Sequence, residues 1–534
     1  MKDGNTTADA SGQTGATAVL ANFAAGLSFE DMPPEVVDHL KLAVLDGLAC
    51  CLHGATLPWT QMVADLVDHD GGTPEASLIG MLRMVPVASA VLVNATSGHA
   101  FEMDDIHRDA ITHPNSIAVP VALNMGERLL GVQRTGVTGA LVLTAMAAGY
   151  EVACRVGAAA GTDLLLRGFH PQGAVGPLVA AATAARMMGL DAQGMANALG
   201  IAGSLGAGLM AAQEGAMVKR LHSGRAAEAG VRGAELAARG FTGISDMVEA
   251  EYGGFLSSFA GNIDTERATR GLMPGQDMQW EVLNTGFKPH ATVTSIHCAL
   301  DALKTVMTDN NIASDEIATI TARISHPTYV HCAWPYKAQS ITAAQMNLFY
   351  GLAMIALDGE AFTAQFTDQR IKDPKVLSFI DRISAEVDPE IEALGRGARH
   401  MARITVRTTD GREFTHSENN RRGSPENPVS AADLDRKYHA LSEPVLGAAK
   451  TAKVKDFVMS LETAEEERAR AQSELLKLVY TPHQSYCEEN DQDGEPVELQ
   501  NGSKWTPERS QNPHQDTRCS KHVSLALPGS FRRH

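Results

Sequence analysis

The residues best suited to chemistry lie in one short window, Glu102 to Pro114, with the sequence EMDDIHRDAITHP. Two histidines, His107 and His113, and four acids, Asp104 among them, fall within it. The preceding apolar segment, Val85 to Ala100, predicts a buried helix. Titratable groups at the mouth of such a helix are costly unless they are paired or used, and active sites shift pKa values by such placement. We therefore predict an active site here; the alternative is an exposed helix end with solvated side chains.

A second candidate is His170, in the Gly-flanked loop RGFHPQG (residues 167–173) before an Ala-rich segment. The N-terminus of a helix favours anions, and a histidine beside it adds a proton donor. The alternative is a histidine that caps or packs against the helix.

The third candidate is a basic cluster in GAMVKRLHSGR, residues 215–225, which contains Lys219 and His222. Such a cluster suits carboxylate or phosphate binding. Its glycines are misplaced for a Walker motif. A solvated basic face is the alternative, but the apolar neighbours on both sides weaken it.

Lys288 and His290 lie in GFKPHAT, at the apparent junction between a helical region and a mixed α/β region. Ligand sites favour such junctions. Tyr329, in HPTYVHC, follows the first predicted strand and offers a phenol as acid or hydrogen-bond donor. Taken singly, Lys288 and Tyr329 are each better explained by a structural role.

Asp104, His107 and His113 could also supply metal ligands, but their spacing is not that of HExxH or of a cysteine zinc site. The chain contains no GxGxxG after a predicted strand and no GxSxG elbow. We therefore expect acid–base chemistry with no metal and no cofactor.

The bulk composition bounds the class of protein. The chain has 534 residues and a formal net charge of -18, which argues against nucleic acid and against an anionic membrane surface as partners. No apolar run is expected to be long enough for a membrane span. The 7 cysteines form no CxxC pair, which favours reduced, buried thiols and a cytoplasmic location.

Periodicity predicts helices at 35–51, 140–158, 173–188 and 192–212, rich in small residues; an aromatic content of 5% agrees with close helix packing. After about Asn284 the pattern changes. Strands are predicted at 317–325 and 402–407, with a hairpin turn at Thr409–Arg412, and helices at 343–357 and 373–383. A capped helix start follows at 427–434, and helical sequence resumes to about Leu478.

These patterns divide the chain into five segments. We predict a disordered N-terminus (1–16), a helical region (17–284), an α+β region (285–416), a helical return segment (417–478) and a disordered polar tail (479–534). The fold class is mainly α.

Taken together, these windows resemble the MmgE/PrpD family, which includes 2-methylcitrate dehydratases, cis-aconitate decarboxylases and an iminodisuccinate epimerase. The resemblance covers about residues 16–478, and its marks are HAFEMDDIHRDAITHP, GFHPQGAVG, GAMVKRLHSGRAAEAG, EYGGFL, GFKPHA and NPVSAADLDRKY. It implies one large all-helical domain built from both chain ends, an inserted smaller α+β lid domain, a pocket between them, a homodimer and no cofactor.

The resemblance also assigns site residues. Asp104 and His113 match the first site window, His170 the loop histidine, Lys219 the basic-cluster lysine and Lys288 the junction lysine. Tyr329 resembles the lid tyrosine of the decarboxylases. The predicted catalytic set is thus His113, His170, Asp104, Lys219 and Tyr329, and the predicted substrate-binding set is Lys288, His107, His222 and His290.

Two positions depart from the family pattern. Val293 replaces the cysteine or histidine that many members have five residues after the junction lysine, and His290 replaces an aromatic residue. Both bear on the shape of the pocket and on its proton supply.

The resemblance implies a lyase that acts on a citrate- or aconitate-like polycarboxylate. His107 and the stretch HCAW after Tyr329 resemble the fungal decarboxylase pattern, so we lean to a cis-aconitate-decarboxylase-like activity. A 2-methylcitrate or alkylcitrate dehydratase, an epimerase of an iminodisuccinate-type substrate and a catalytically silent binding homologue stay open.

Overall fold

The computed structural model describes residues 15–132, 137–273 and 275–463, together with two short strands further on. The protein is mainly α, as expected. Its α-helices within these residues are α1 (Ala16–Gly26), α2 (Pro34–Ala55), α3 (Pro58–Asp70), α4 (Val87–Gly98), α5 (Asn115–Gly131), α6 (Gly139–Leu166), α7 (Pro171–Met188), α8 (Ala192–Gly203), α9 (Val218–Ala237), α10 (Thr265–Thr269), α11 (His297–Asn310), α12 (His326–Cys332), α13 (Ile341–Met346), α14 (Leu348–Asp358), α15 (Pro374–Ile380), α16 (Pro389–Ala393), α17 (Ala431–Leu446) and α18 (Ala448–Met459).

The strands form one four-stranded sheet and three short pairs. They are β1 (Ala76–Ser77), β2 (Met84–Val85), β3 (Ile106–His107), β4 (Thr285–Gly286), β5 (Ile317–Ile324), β6 (Ile383–Val387), β7 (Ala402–Thr408), β8 (Glu413–Glu418), β9 (Val497–Glu498) and β10 (Lys504–Trp505). The larger sheet has the order β6-β5-β7-β8, and only its β5–β6 pair is parallel. Helix α11 packs against β7 and β8 and also contacts α14.

Small residues let the helices of the N-terminal half approach closely. Helix α7 packs against α6, α8 and α9, and α9 also packs against α4. A Cβ added at Gly230 in α9 would lie 2.4 Å from the Pro177 carbonyl oxygen in α7. Only glycine fits this crossing, which agrees with the Ala- and Gly-rich sequence.

Helix α6 meets the length and composition expected of a membrane span, so the expectation that no apolar run is long enough was wrong. Its most apolar 18-residue stretch is 89% buried inside the protein. A core helix that is apolar all round has the same composition, because its whole surface is covered by other helices.

The helices after the sheet pack back on the first part of the chain. Helices α17 and α18 both contact α2. Lys437 in α17 forms a buried ion pair of 2.6 Å with Asp46 in α2 and donates to the Met103 carbonyl oxygen at 2.5 Å. These contacts agree with a helical unit that uses both chain ends, while the predicted domain limits stay predictions.

Most predicted elements are confirmed, with three differences. Helix α8 ends at Gly203 rather than continuing to 212, and the predicted helix 343–357 is two helices separated at Asn347. The predicted helix 373–383 ends at Ile380, and β6 begins at Ile383. The predicted disordered segments and the helical sequence predicted for 464–478 lie outside the described residues, except for residues 15–16 and the strands β9 and β10.

Candidate active site

One cavity brings four of the nine predicted site residues together, His113, His170, Lys219 and Lys288. It has an empty volume of about 650 Å³, part of it open to solvent. Its polar lining comes from both halves of the chain and consists of Glu102, His113, Thr162, His170, Lys219, Lys288, Thr294, Ser295, Thr328, His331, Arg399 and His400. Leucine, isoleucine, methionine, valine and proline side chains complete the wall.

Three helix N-termini meet this cavity. His113 lies just before α5, His170 is the N-cap residue of α7, and Lys219 lies in the first turn of α9. The unpaired N–H groups at a helix N-terminus carry partial positive charge. The backbone therefore favours an anion here before any side-chain charge is counted.

Asp104 lies between two histidines. Its Oδ2 is 2.7 Å from His99 Nδ1, and its Oδ1 is 3.5 Å from His113 Nδ1 and 4.0 Å from Lys288 Nζ. Burial opposes ionisation of Asp104, but His113 and His99 outweigh it and hold the pKa of this carboxyl below its usual range. Asp104 is therefore a permanent negative charge beside His113.

His113 is held in one tautomer. Its Nδ1 lies 2.7 Å from the Asp105 carbonyl oxygen, which can only accept, so Nδ1 carries the hydrogen and Nε2 has the free lone pair. Burial lowers the pKa of His113 to about 3. In the empty cavity His113 is thus neutral at pH 7, and Nε2 is the atom that can take up a proton.

His170 and His222 form a pair of histidines in the same site. His170 Nδ1 and His222 Nδ1 are 2.9 Å apart, and the His99 ring lies 5.6 Å from the His170 ring. Burial and the Lys219 charge hold the pKa of His170 well below its usual value. A Cβ at Gly208, which has φ 147°, would sit 3.1 Å from the His222 ring, so glycine gives the pair its space.

Glu102 gathers the positive charges of the site. It accepts from Lys219, from Arg220 at 2.5 Å and from Lys288 at 3.3 Å. Burial opposes its ionisation, but these cations outweigh it and hold the pKa of Glu102 well below its usual value. Its φ of 58° is a left-handed conformation that costs free energy, which the three charged hydrogen bonds offset.

The pKa of Lys219 is shifted toward neutral pH. Burial lowers its pKa to about 8, in spite of the Glu102 carboxylate. An amine with such a pKa exchanges protons readily near neutral pH. Lys219 is therefore able to act in acid–base chemistry as well as in charge pairing.

Five predicted residues do not line the cavity: Asp104, His107, His222, His290 and Tyr329. Asp104 and His222 contact the lining residues His113 and His170, whereas the other three lie elsewhere. His107 is buried and bonds Glu281 at 2.9 Å next to the short β3–β4 pair, and His290 contacts Asp301 at 3.0 Å. The Tyr329 side chain is 38% exposed, although Thr328 beside it lines the cavity. The roles predicted for these three residues stay predictions.

The candidate metal ligands that the structure brings together differ from those predicted from the sequence. Ligand atoms of His99, Asp104 and His113 lie within 4.8 Å of one another, whereas His107 lies elsewhere. Both Nδ1 atoms are already used in short hydrogen bonds, to Asp104 and to the Asp105 carbonyl oxygen. This arrangement orients a proton-transfer histidine, and the Lys288 ammonium nearby disfavours a further cation.

Sequence reasoning missed several residues of the site. His99 precedes the first window in SGHAF, and Glu102 was one acid among four. His331 lies two residues after Tyr329 in HPTYVHC, whereas Arg399 and His400 lie far along the chain from the predicted motifs. The basic window did contain Arg220, whose neighbours in the sequence signalled its burial, but its partner Glu102 is a long-range contact.

The chain belongs to the MmgE/PrpD family. The MmgE/PrpD N-terminal domain matches residues 18–267, and the MmgE/PrpD C-terminal domain matches residues 290–463. Both matches together cover most of the chain, including every residue of the cavity described above except Lys288, which lies between them.

Named relatives narrow the class. A cis-aconitate decarboxylase-like protein, oryM, of Aspergillus oryzae is 31% identical over 89% of this chain and 99% of its own length. The cis-aconitate decarboxylase of Aspergillus terreus is 28% identical over 90% of this chain and 98% of its own length. The human cis-aconitate decarboxylase is 26% identical over 83% of this chain and 90% of its own length. The protein is a lyase.

Proposed function

We propose that the protein is a cofactor-independent lyase that acts on a tricarboxylate, with cis-aconitate as the leading substrate. The observation that carries the proposal is a neutral, oriented histidine, His113, in a cavity bordered by Lys219 and Lys288. The names of the relatives support a decarboxylase.

The charge of the cavity suits a polycarboxylate. Among the described residues, Lys219, Lys288 and the buried Arg220 form ion pairs with two carboxylates, Glu102 and Asp104, and the helix N-termini add partial positive charge. This excess of positive charge favours a ligand that carries carboxylates, in a shielded space where charge pairing is strong.

The substrate charge would also prepare the proton donor. His113 and His170 are neutral in the empty cavity because burial and the nearby charges lower their pKa values. The negative charge of a bound trianion raises both pKa values and favours the imidazolium. The protonated His113, held by Asp104, then carries the proton to the place where negative charge develops.

The reaction balances with one proton consumed. The bond between a carboxylate and its carbon breaks, CO2 leaves, and the electron pair passes into the remaining unsaturated system. His113 or His170 protonates the resulting carbanion-like carbon, so that a tricarboxylate trianion and one proton give a dicarboxylate dianion and CO2. Itaconate is the product expected from cis-aconitate.

Proton NMR of the purified protein, incubated separately with cis-aconitate and with 2-methylcitrate, tests the proposal. Itaconate together with CO2 release would support decarboxylation. A new olefin from 2-methylcitrate without CO2 or net proton uptake would instead identify a dehydratase. Turnover of neither acid would overturn both assignments and leave an epimerase or a silent binding homologue.

We also propose a cytoplasmic homodimer. The five described cysteines are free and buried, which suits a reducing compartment. Four apolar side chains between α8 and α9 are about half exposed: Leu205, Leu209, Met217 and Val218. Exposed apolar side chains close together along one segment indicate a protein contact. Analytical ultracentrifugation should give twice the chain mass, and a monomer at micromolar concentration would contradict this.

A further inference from the structure

Arg399 is the one lysine or arginine that residues 290–463, the part matched by the MmgE/PrpD C-terminal domain, contribute to the lining of the cavity. Its Nε bonds His400 Nε2 at 3.0 Å, and its Nη2 donates to the Arg108 carbonyl oxygen. These contacts use two of the five N–H donors of the guanidinium. Within residues 15–132, 137–273 and 275–463, no carboxylate lies within ion-pair distance of Arg399.

The backbone of Arg399 is fixed to the cavity wall. Its carbonyl oxygen accepts from Ser325 Oγ at 2.6 Å and from Thr328 Oγ1 at 2.8 Å, at the start of α12. Thr328 and His331 of the same helix line the cavity. The side chain is therefore anchored before a ligand arrives, which reduces the entropy lost on binding.

The other cations of the site differ in this respect. Lys219, Arg220 and Lys288 all donate to the Glu102 carboxylate, which offsets part of their charge. Burial lowers the pKa of Arg399 to about 10, so the group is still charged at pH 7, and the acid that most favours its charge, Asp109, lies beyond ion-pair distance. A half-buried guanidinium without a carboxylate partner is costly unless a ligand supplies one.

We propose that Arg399 binds one carboxylate of the substrate and so sets the preference for tricarboxylates over smaller acids. This inference rests on the proposed function and goes beyond it by assigning a separate anchor from the C-terminal half. The planar fork of arginine matches a carboxylate with two parallel hydrogen bonds. The Lys219–Lys288 side of the cavity is then free to hold the carboxylates nearer the reacting carbon.

Calorimetry with tricarballylate, a saturated tricarboxylate that cannot undergo the reaction, tests this assignment. Arg399→Gln should raise the Kd about 10-fold or more, since a hydrogen bond to a charged group contributes about 1.5–3 kcal/mol. In turnover, KM should rise by a similar factor, while kcat should change less than about threefold because the proton donor stays in place.

Two further variants keep the test decisive. Arg399→Lys retains the charge but not the fork, so its Kd should lie between those of the wild type and Arg399→Gln, and it serves alone if the glutamine variant does not fold. Arg407→Gln removes an exposed arginine on β7 and should bind like the wild type. Wild-type affinity for tricarballylate in every Arg399 variant that folds would overturn the assignment of Arg399 without affecting the proposed function. A wild-type protein that neither binds tricarballylate nor turns over cis-aconitate would overturn the proposed function and this inference with it.

Discussion

Asp104 and Asp105 are neighbours in the sequence, yet their surroundings move their pKa values in opposite directions. His113, His99 and Lys288 outweigh burial at Asp104 and lower its pKa. At Asp105 burial dominates and raises the pKa well above the usual value, although Tyr150 donates to it at 2.8 Å. Asp104 is thus the electrostatic partner of His113, the proposed proton donor, while Asp105 fixes the backbone around it.

A substitution of His113 should reduce activity while leaving the fold intact. Asn at this position can still donate to the Asp105 carbonyl oxygen but cannot carry a proton, so His113→Asn should reduce kcat at least about 100-fold with little change in thermal stability. Steady-state kinetics and calorimetry measure both effects. His69→Asn, at an exposed position in α3, is the matched control and should be fully active. Wild-type turnover in His113→Asn would remove His113 from the mechanism.

Ligand binding should take up a proton at pH 7. Raising the pKa of His113 from about 3 to above 7 requires about 5 kcal/mol, at about 1.4 kcal/mol for each pKa unit. One negative charge at 4 Å supplies about 4 kcal/mol at an effective dielectric of 20, so two carboxylates suffice. Calorimetry of tricarballylate binding in phosphate and in Tris should show an uptake near one proton. An uptake that is zero, or that is unchanged in His113→Asn, would contradict this role.

At the scale of elements, helix α13 links the two halves of the chain through one side chain. Gln345 Nε2 donates to the carbonyl oxygens of Phe101 and Ala291 at 2.8 and 3.1 Å, and its Oε1 accepts from Arg220 at 2.7 Å. The helix ends at Met346, one residue before the break at Asn347. This short helix thereby holds the backbone next to Glu102 and the guanidinium that pairs with it.

Removing this link should loosen the site. Gln345→Leu leaves the carbonyl oxygens of Phe101 and Ala291 without this donor, each costing about 1–3 kcal/mol. It also removes the shorter of the two contacts of Arg220 Nη2, which keeps only Thr342 Oγ1 at 3.4 Å. We expect a clear loss of stability in urea unfolding together with a raised KM, because the guanidinium that pairs with Glu102 is less firmly oriented. Gln369→Leu, at an exposed position in the same half of the chain, should leave both unchanged. If Gln345→Leu unfolds and turns over like the wild type, the link has no role in positioning the site.

Local pattern predicted the elements that carry the motifs but not every boundary. Apolar spacing at four-residue intervals gave α2, and alternation with a hairpin turn gave β7 and β8. The short helix α13 and the parallel strand β6 depend on long-range partners, such as Ile320 opposite Ile383, which single-sequence periodicity does not contain. The prediction of one helix over 343–357 failed because Asn347 caps a new helix by accepting from the Tyr350 N–H at 3.1 Å.

The residues of the candidate site also divide into those that local motifs predict and those that only tertiary contacts bring to the cavity. His113, His170, Lys219 and Lys288 were found because their windows are dense in charge and match family motifs, and all four line the cavity. Arg399 has no such window. Its place in the site follows only from tertiary contacts, above all those of its carbonyl oxygen with α12.

On the scale of the whole molecule, buried neutral histidines make stability depend on pH. Burial lowers the pKa of His39, His53 and His331 to about 4, from an ordinary value of 6.5. Between these values the unfolded state binds more protons than the folded state, so stability falls as the pH falls. The melting temperature should be nearly constant from pH 8 to 6.5 and should decrease from pH 6.5 toward 4. A constant melting temperature down to pH 4.5 would show that these rings are not buried in their neutral form.

A buried ion pair joins α17 to α2, and its removal should lower the free energy of unfolding. Lys437 in α17 is the counter-charge of Asp46 in α2, and both side chains are almost fully shielded from solvent. Lys437→Met has a similar shape but leaves the Asp46 carboxylate buried without a cation, which costs about 3–5 kcal/mol. Lys455→Met in α18 removes a pair with Asp435 that is more than one-third exposed, and it should cost less than about 1 kcal/mol. Urea unfolding of the two variants compares one buried pair with one exposed pair between neighbouring helices. Equal losses of unfolding free energy would mean that α17 is held by its apolar face alone. A large loss confined to Lys437→Met would show that charge pairing joins α17 to α2. Part of that loss should be recovered at acidic pH, where Asp46 becomes protonated.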